Sequence, residues 1–174
     1  MEFRLQDAIE VLDRTPAILR AILGGLQDRW VMSNYGDQTF SPFDVVGHLI
    51  HGERTDWMPR ARIILEHGES KTFEPFERYA MHRASEGQSI GQLLDTFESL
   101  RRDNVEALRA LRLTPGQLGL RGTHPRLGTV TMEQLLAMWV VHDLGHLAQI
   151  AKAMAFQYRD KVGPWLSDTS ILKT

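Results

Sequence analysis

His142 and His146 stand four residues apart in the string HDLGH. On a helix that spacing stacks two imidazoles on one face, one turn apart. Neutral imidazole is the commonest side-chain metal ligand, and an i, i+4 pair chelates one ion with little rearrangement. The surrounding run MEQLLAMWVVHDLGHLAQIAKAMA is apolar almost all round, which predicts a helix deep in the fold, with Trp139, Gln149 and Ala153 on the histidine face. Buried imidazoles need hydrogen-bond partners or a cation, because leaving them unpaired costs free energy. The competing reading is two core histidines bonded to neighbouring backbone or side chains.

The string invites comparison with HExxH metalloproteases, Asp143 standing where their Glu follows the first His. The comparison fails on the third ligand, since beyond His146 there is no further His or Glu, only Asp160 and Asp168. A ligand from another helix is expected instead. The segment DVVGHLIHGE supplies His48, on a face shared with Val45, Gly52 and Thr55, while Gly47 and Gly52 have no side chain to hold a neighbour off. His48 lies deeper in the apolar run than His51 and is the preferred ligand. His51 is an alternative ligand, a supporting group or a surface residue. Three histidines plus an open position make a catalytic rather than a structural metal arrangement. His67, His82 and His124, at a helix end or in polar and Gly/Pro-rich stretches, read as capping or surface residues.

The carboxylates nearest these ligands, Asp44, Glu53 and Asp143, are the candidate catalytic groups. Asp44, one turn before His48, either holds that imidazole or serves as the acid of a helix cap. Asp143 is turned about 100° from the ligand face, and Glu53 is turned away from His48. Arg101 either binds an anionic substrate or pairs with a carboxylate.

Four helices must position these groups. The first carries Leu5, Ile9, Leu12, Pro16, Leu19, Leu23 and Leu26 at alternating spacings of four and three, with Pro16 marking a kink or a restart capped by Thr15. The second opens at SPFD, with Ser41 as cap, Asp44 behind it and Pro59 as a bend; the third opens at SIGQ, with Leu93, Phe97, Leu100, Asn104, Leu108 and Leu111 facing inward; the fourth opens at TMEQ and runs to about Tyr158. Strand signals are poor, GTVT at 128–131 being too short to build on. The connection over 67–88 is long enough to carry the chain back across a bundle. The expected fold is therefore all-α: a four-helix bundle with a long crossover between helices 2 and 3.

At 174 residues, with 43% hydrophobic and 24% charged, the chain reads as one globular domain over 1–174. A formal charge of −2 and no block of Lys or Arg give no reason to expect nucleic acid. No run approaches the roughly 20 apolar residues of a membrane span, and the opening MEFRLQDAIEVLDRTP does not read as a signal peptide. The absence of cysteine excludes disulfides and thiolate ligands and fits a cytoplasmic protein.

The strings SPFDVVGHLIHGE, LLDTFESLRRDNVEAL and GTVTMEQLLAMWVVHDLGHLAQI, in that order, resemble the DinB-like superfamily, most of all its YfiT-type branch grouped with metal-dependent hydrolases. The resemblance spans roughly residues 5 to 155. It implies an up-down-down-up bundle, a homodimer, and one divalent metal (Zn, Ni, Fe or Mn) on three histidines that fall on His48, His142 and His146. It also implies a small-molecule substrate and either a hydrolase or an S-transferase acting with a low-molecular-weight thiol. A non-catalytic metal-binding or interaction bundle of the same fold is the alternative.

Overall fold

The computed structural model describes residues 2–173, which are mostly helical. The first of four rods is α1 (Leu5–Leu12) continued by α2 (Thr15–Leu23). A short α3 (Asp28–Val31) leads to the second rod, α4 (Pro42–Thr55) continued by α5 (Trp57–His67). A connection holding the short α6 (Ala80–Ala84) leads to the third, α7 (Ile90–Ala110). The one-turn α8 (Pro115–Leu118) and a hairpin of β1 (Arg121–His124) and β2 (Gly128–Thr131) precede the fourth, α9 (Met132–Phe156). No helix of the described residues is long and apolar enough to cross a membrane.

Three rods begin at capping boxes: Ser41 with Asp44, Ser89 with Gln92, and Thr131 with Gln134. In each, the hydroxyl accepts the backbone N–H of the third helical residue, whose own side chain accepts the cap's N–H. The first rod restarts as expected, but Thr15 is not its cap. Arg14 holds that position, and the Thr15 hydroxyl instead donates to Asp143 in the core at 2.7 Å. The second rod breaks at Asp56 rather than at Pro59. Pro59 lacks the N–H that would reach the Thr55 carbonyl four residues back, so the discontinuity falls one turn earlier. GTVT does form a strand, paired antiparallel with the RGTH segment that precedes it.

The core is two apolar clusters separated by a polar layer. Along the first rod Ile9 and Leu12 join one cluster, Leu19 and Leu23 the other, and Thr15 lies between them. Glu53 divides Leu49 and Ile50 from Trp57 and Met58; Arg101 divides Leu93 and Phe97 from Val105 and Leu108; Asp143 divides Leu136 and Trp139 from Ile150. Each rod thus places one polar, buried residue at the same level. The hairpin is tied to the connection after α5, where Phe73 N–H donates to the Thr123 carbonyl at 2.9 Å. The approach is close enough that a Cβ on Gly122 would meet the Phe73 ring at 2.9 Å, which only glycine avoids.

Candidate metal centre

The polar layer contains two clusters. The first is built on Arg101, whose five N–H groups are all donated. Nε and Nη2 reach Glu53 Oε1 at 3.1 and 2.7 Å, Nη1 and Nη2 reach Asp143 at 2.5 and 3.0 Å, and Nη1 also reaches the Leu12 carbonyl at 3.0 Å. Glu53 also accepts from Trp139 Nε1 at 3.1 Å and from Asn104 at 2.9 Å. Burial works against the charge on Arg101, but Glu53 and Asp143 outweigh it and hold the guanidinium protonated. Two carboxylates against one guanidinium leave a formal negative charge in the layer.

The second cluster is the three histidines. His48 from α4 brings its Nε2 to 3.2 Å from Nε2 of His142, and His146 brings its own Nε2 to 3.1 Å from the same atom. One ligand atom from each lies within 4.8 Å of the other two. Burial, with each other's proximity as the lesser cause, lowers the pKa of His48 to about 4 and that of His142 to about 3; burial lowers His146 as well, against its bond to Gln149. All three are therefore uncharged at neutral pH, the form that binds metal.

The geometry fits an ion better than it fits hydrogen bonds. Nδ1 of His146 lies 2.8 Å from Gln149 Oε1, which can only accept, so Nδ1 carries the ring proton and Nε2 carries a lone pair. His142 Nε2 can donate one proton to one of its two neighbours, which leaves lone pairs facing each other across the rest of the cluster. Nδ1 of His48 and Nδ1 of His142 are buried with no partner among the described residues. Two nitrogens bound to one ion at about 2.0–2.1 Å in tetrahedral array lie roughly 3.3–3.4 Å apart, close to the spacings here.

Aromatic rings fix the imidazoles. Phe76 lies edge-on to His48 at 5.1 Å between centroids, and Trp57 lies edge-on to His142 at 5.1 Å while stacking on Trp139 at 5.6 Å. Trp139 bonds Glu53, so the two clusters are mechanically joined. A cleft of about 870 Å³ opens beside His48 and His142, walled by the connection at 73–78, the hairpin and the start of α9.

The other residues singled out from sequence lie as follows. Asp44 is committed to its cap, with Oδ2 accepting from the Ser41 N–H at 3.0 Å, and pairs with His82 at 3.4 Å. Glu53 and Asp143 are committed to Arg101. His51 packs on Phe76 rather than joining the ligand atoms. Gly47 makes room for Met81 and Ser85 of the connection, and Gly52 for Trp57. Sequence reasoning missed Asp56 and Arg60, which form a buried pair at 2.8 Å on the cleft wall. Their one signal was an acid and a base four apart in TDWMPR, a pattern common on exposed helices. Burial raises the pKa of Asp56 to about 6, Arg60 opposing.

The family model of the DinB superfamily matches residues 11–150. Among solved structures, YfiT from Bacillus subtilis, described as "a probable metal-dependent hydrolase with an unusual four-helix bundle topology", aligns with a TM-score of 0.70 at 22% sequence identity, covering 94% of each chain. No curated protein matches the chain.

Proposed function

The chain belongs to the DinB superfamily, and from that premise we propose that it is a metal-dependent enzyme whose His48, His142 and His146 hold one divalent transition metal. The observation that carries this reading is the convergence of three uncharged Nε2 atoms with no hydrogen-bond scheme that satisfies them. Nitrogen-only ligation suits Zn, Ni, Fe or Mn. Such an ion, when bound, supplies Lewis acidity and makes a nucleophile available at neutral pH, water in a hydrolase or a low-molecular-weight thiol in an S-transferase. The hydrolase reading is favoured because it needs no second small molecule and agrees with the description of YfiT. The transferase reading is retained because a cleft of about 870 Å³ has room for two small molecules.

The chain's own residues do the rest. Gln149 holds His146 in one tautomer, and Trp57 and Phe76 shield the imidazoles from bulk water. Asp56, on the cleft wall with a pKa raised to about 6, can hold or release a proton near neutrality. Asp44, Glu53 and Asp143 keep structural roles in this reading.

Residues 1–174 are taken as one domain of up-down-down-up topology. Its support is the order in which the rods visit the two apolar clusters, opposite in the two inner rods to the first and last. A homodimer is part of the same reading, since Val141 and Leu144 of α9 are 59% and 50% exposed and offer apolar surface to a second copy. A cytoplasmic location rests on the cysteine-free sequence.

Metal content by plasma mass spectrometry, on tag-free wild type and His146→Ala side by side, tests the reading. The expected result is about one equivalent of transition metal in wild type, largely lost in the variant. Wild type that stays metal-free after anaerobic loading with Zn²⁺, Ni²⁺ and Fe²⁺ would leave only the non-catalytic bundle.

A further inference from the structure

Three buried side-chain atoms lack a hydrogen-bond partner among the described residues: Nδ1 of His48, Nδ1 of His142 and Nε of Arg60. All three belong to residues lining the one cleft. The histidine atoms belong to the site already described; Arg60 does not. Its side chain is 8% exposed; Nη2 forms the ion pair with Asp56 Oδ1 at 2.8 Å and donates to the Glu74 carbonyl at 3.4 Å, its one side-chain hydrogen bond among the described residues. Arg101, deeper still at 1% exposed, donates every N–H it has. A buried guanidinium with an unused N–H is costly unless something else completes it.

The surroundings of Arg60 indicate the sign of that partner. The cleft walls carry Arg60, Arg78 and Arg126 against the one carboxylate of Asp56, whereas the whole chain is formally −2. Among the described residues neither Arg78 nor Arg126 forms an ion pair. His124 Nδ1 accepts the backbone N–H groups of Arg126 and Leu127 at 3.1 and 3.2 Å, which leaves its proton on Nε2 as a donor. Phe73 links the groups, with the Arg60 guanidinium 5.5 Å from its ring centroid and His124 edge-on at 6.2 Å, and Arg126 is tied to His124 through its backbone N–H. Beside them the wall is apolar and open to solvent, with Leu127 61% and Met138 50% exposed.

We propose that the cleft binds a small organic anion with an apolar body, its carboxylate or phosphate held by Arg60, Arg126 and His124 and its body lying along Leu127 and Met138 toward the histidines. This assigns a substrate class to the site of the proposed enzyme and rests on that reading for its catalytic meaning, but the binding itself does not require the metal.

Isothermal titration with three probes tests it: 4-phenylbutyrate, 2-phenylethyl phosphate and the neutral 4-phenylbutyramide. Each is titrated into wild type, with and without loaded Zn²⁺, and into His146→Ala. At least one anionic probe is expected to bind roughly tenfold or more tightly than the amide, the size of one charge-assisted contact. That preference should shrink by about tenfold in Arg126→Gln and in Arg60→Gln, and stay unchanged in Arg102→Gln, a surface control on α7. Arg126 is exposed, so its variant reports even if Arg60→Gln fails to fold. Which anion binds more tightly identifies the group, and either supports the proposal. Anionic preference retained in His146→Ala, with no metal in wild type, would uphold the anion site while the metalloenzyme reading fell. Equal affinity for acid and amide, no binding of any probe, or an anionic preference untouched by Arg126→Gln would overturn it.

Discussion

Two polar clusters share the middle of this bundle and are completed in opposite ways. Around Arg101 five N–H groups meet two carboxylates and a carbonyl, and a tryptophan and an asparagine take up remaining acceptor capacity. Around His142, a few residues away, nitrogens face nitrogens and two Nδ1 atoms have no partner. A fully satisfied buried network specifies one packing of the helices, one residue from each rod. A partly satisfied one is costly unless a ligand finishes it. The difference separates the residues that hold the bundle together from those that await a partner. It also explains why acidic residues beside the histidines in sequence are not beside them in role.

The largest effect should come from breaking the satisfied cluster. Arg101→Met strands two buried carboxylates, and urea unfolding should show a loss of about 3–5 kcal/mol. The triple variant Arg101→Met, Glu53→Gln, Asp143→Asn removes all three formal charges together and should recover part of that loss. If the single variant were as stable as wild type, the cluster would not organise the layer. The unsatisfied cluster should answer to acid instead. Burial pushes the pKa of His48 down to about 4 in the fold, from the ordinary 6.5 of the unfolded chain. As pH falls from 6.5 to 4, the unfolded chain takes up a proton that the folded chain refuses, so stability is lost across that window. His142, near 3, extends the window lower. The loss from His48 is roughly 3 kcal/mol. Asp56 works the other way, its pKa raised to about 6 from 3.8, and adds stability over part of the same range. Comparing chelator-treated wild type with His48→Asn cancels the Asp56 contribution. Parallel stability profiles between pH 7 and 4 would show that the His48 imidazole is not held neutral by burial.

Much of this was legible in the chain, and the illegible parts share a physical cause. Ser41, Ser89 and Thr131 announce their helices because a cap is a local contract between residues three apart. His142 and His146 are legible because helical periodicity alone sets them on one face, and His48 because an apolar helix has few reasons to carry an imidazole. Thr15 looked like a cap because its use depends on Asp143, 128 residues away, which no local pattern encodes. Arg101 was legible as a residue that could pair with a carboxylate, but not as the hub of four rods. The hairpin was half-visible: GTVT suggested a strand, but its partner RGTH has little β-propensity and owes its place to Gly122 fitting against Phe73. The cleft was not legible at all, because the connection and the hairpin that wall it meet only in the folded chain.

The smallest predicted effect falls on the one histidine that does have a partner. Gln149 Oε1 accepts from Nδ1 of His146, which fixes the ring and directs the Nε2 lone pair toward His142. Gln149→Leu keeps a side chain of similar size and removes only that acceptor. His146 can then rotate or move its proton to Nε2, and each such state is unable to ligate. Competition with a chromophoric zinc chelator should show metal affinity weakened about 10–100-fold, or roughly 1.4–2.7 kcal/mol. The unfolding midpoint of the metal-free protein should move far less than in Arg101→Met, because Gln149 is only half-buried and lies outside the Arg101 network. That split distinguishes the two clusters within one variant: affinity lost with stability kept belongs to the ligand-awaiting side. Loss of both together would mean that Gln149 helps hold the helices, and the boundary between the clusters would have to be redrawn to include it.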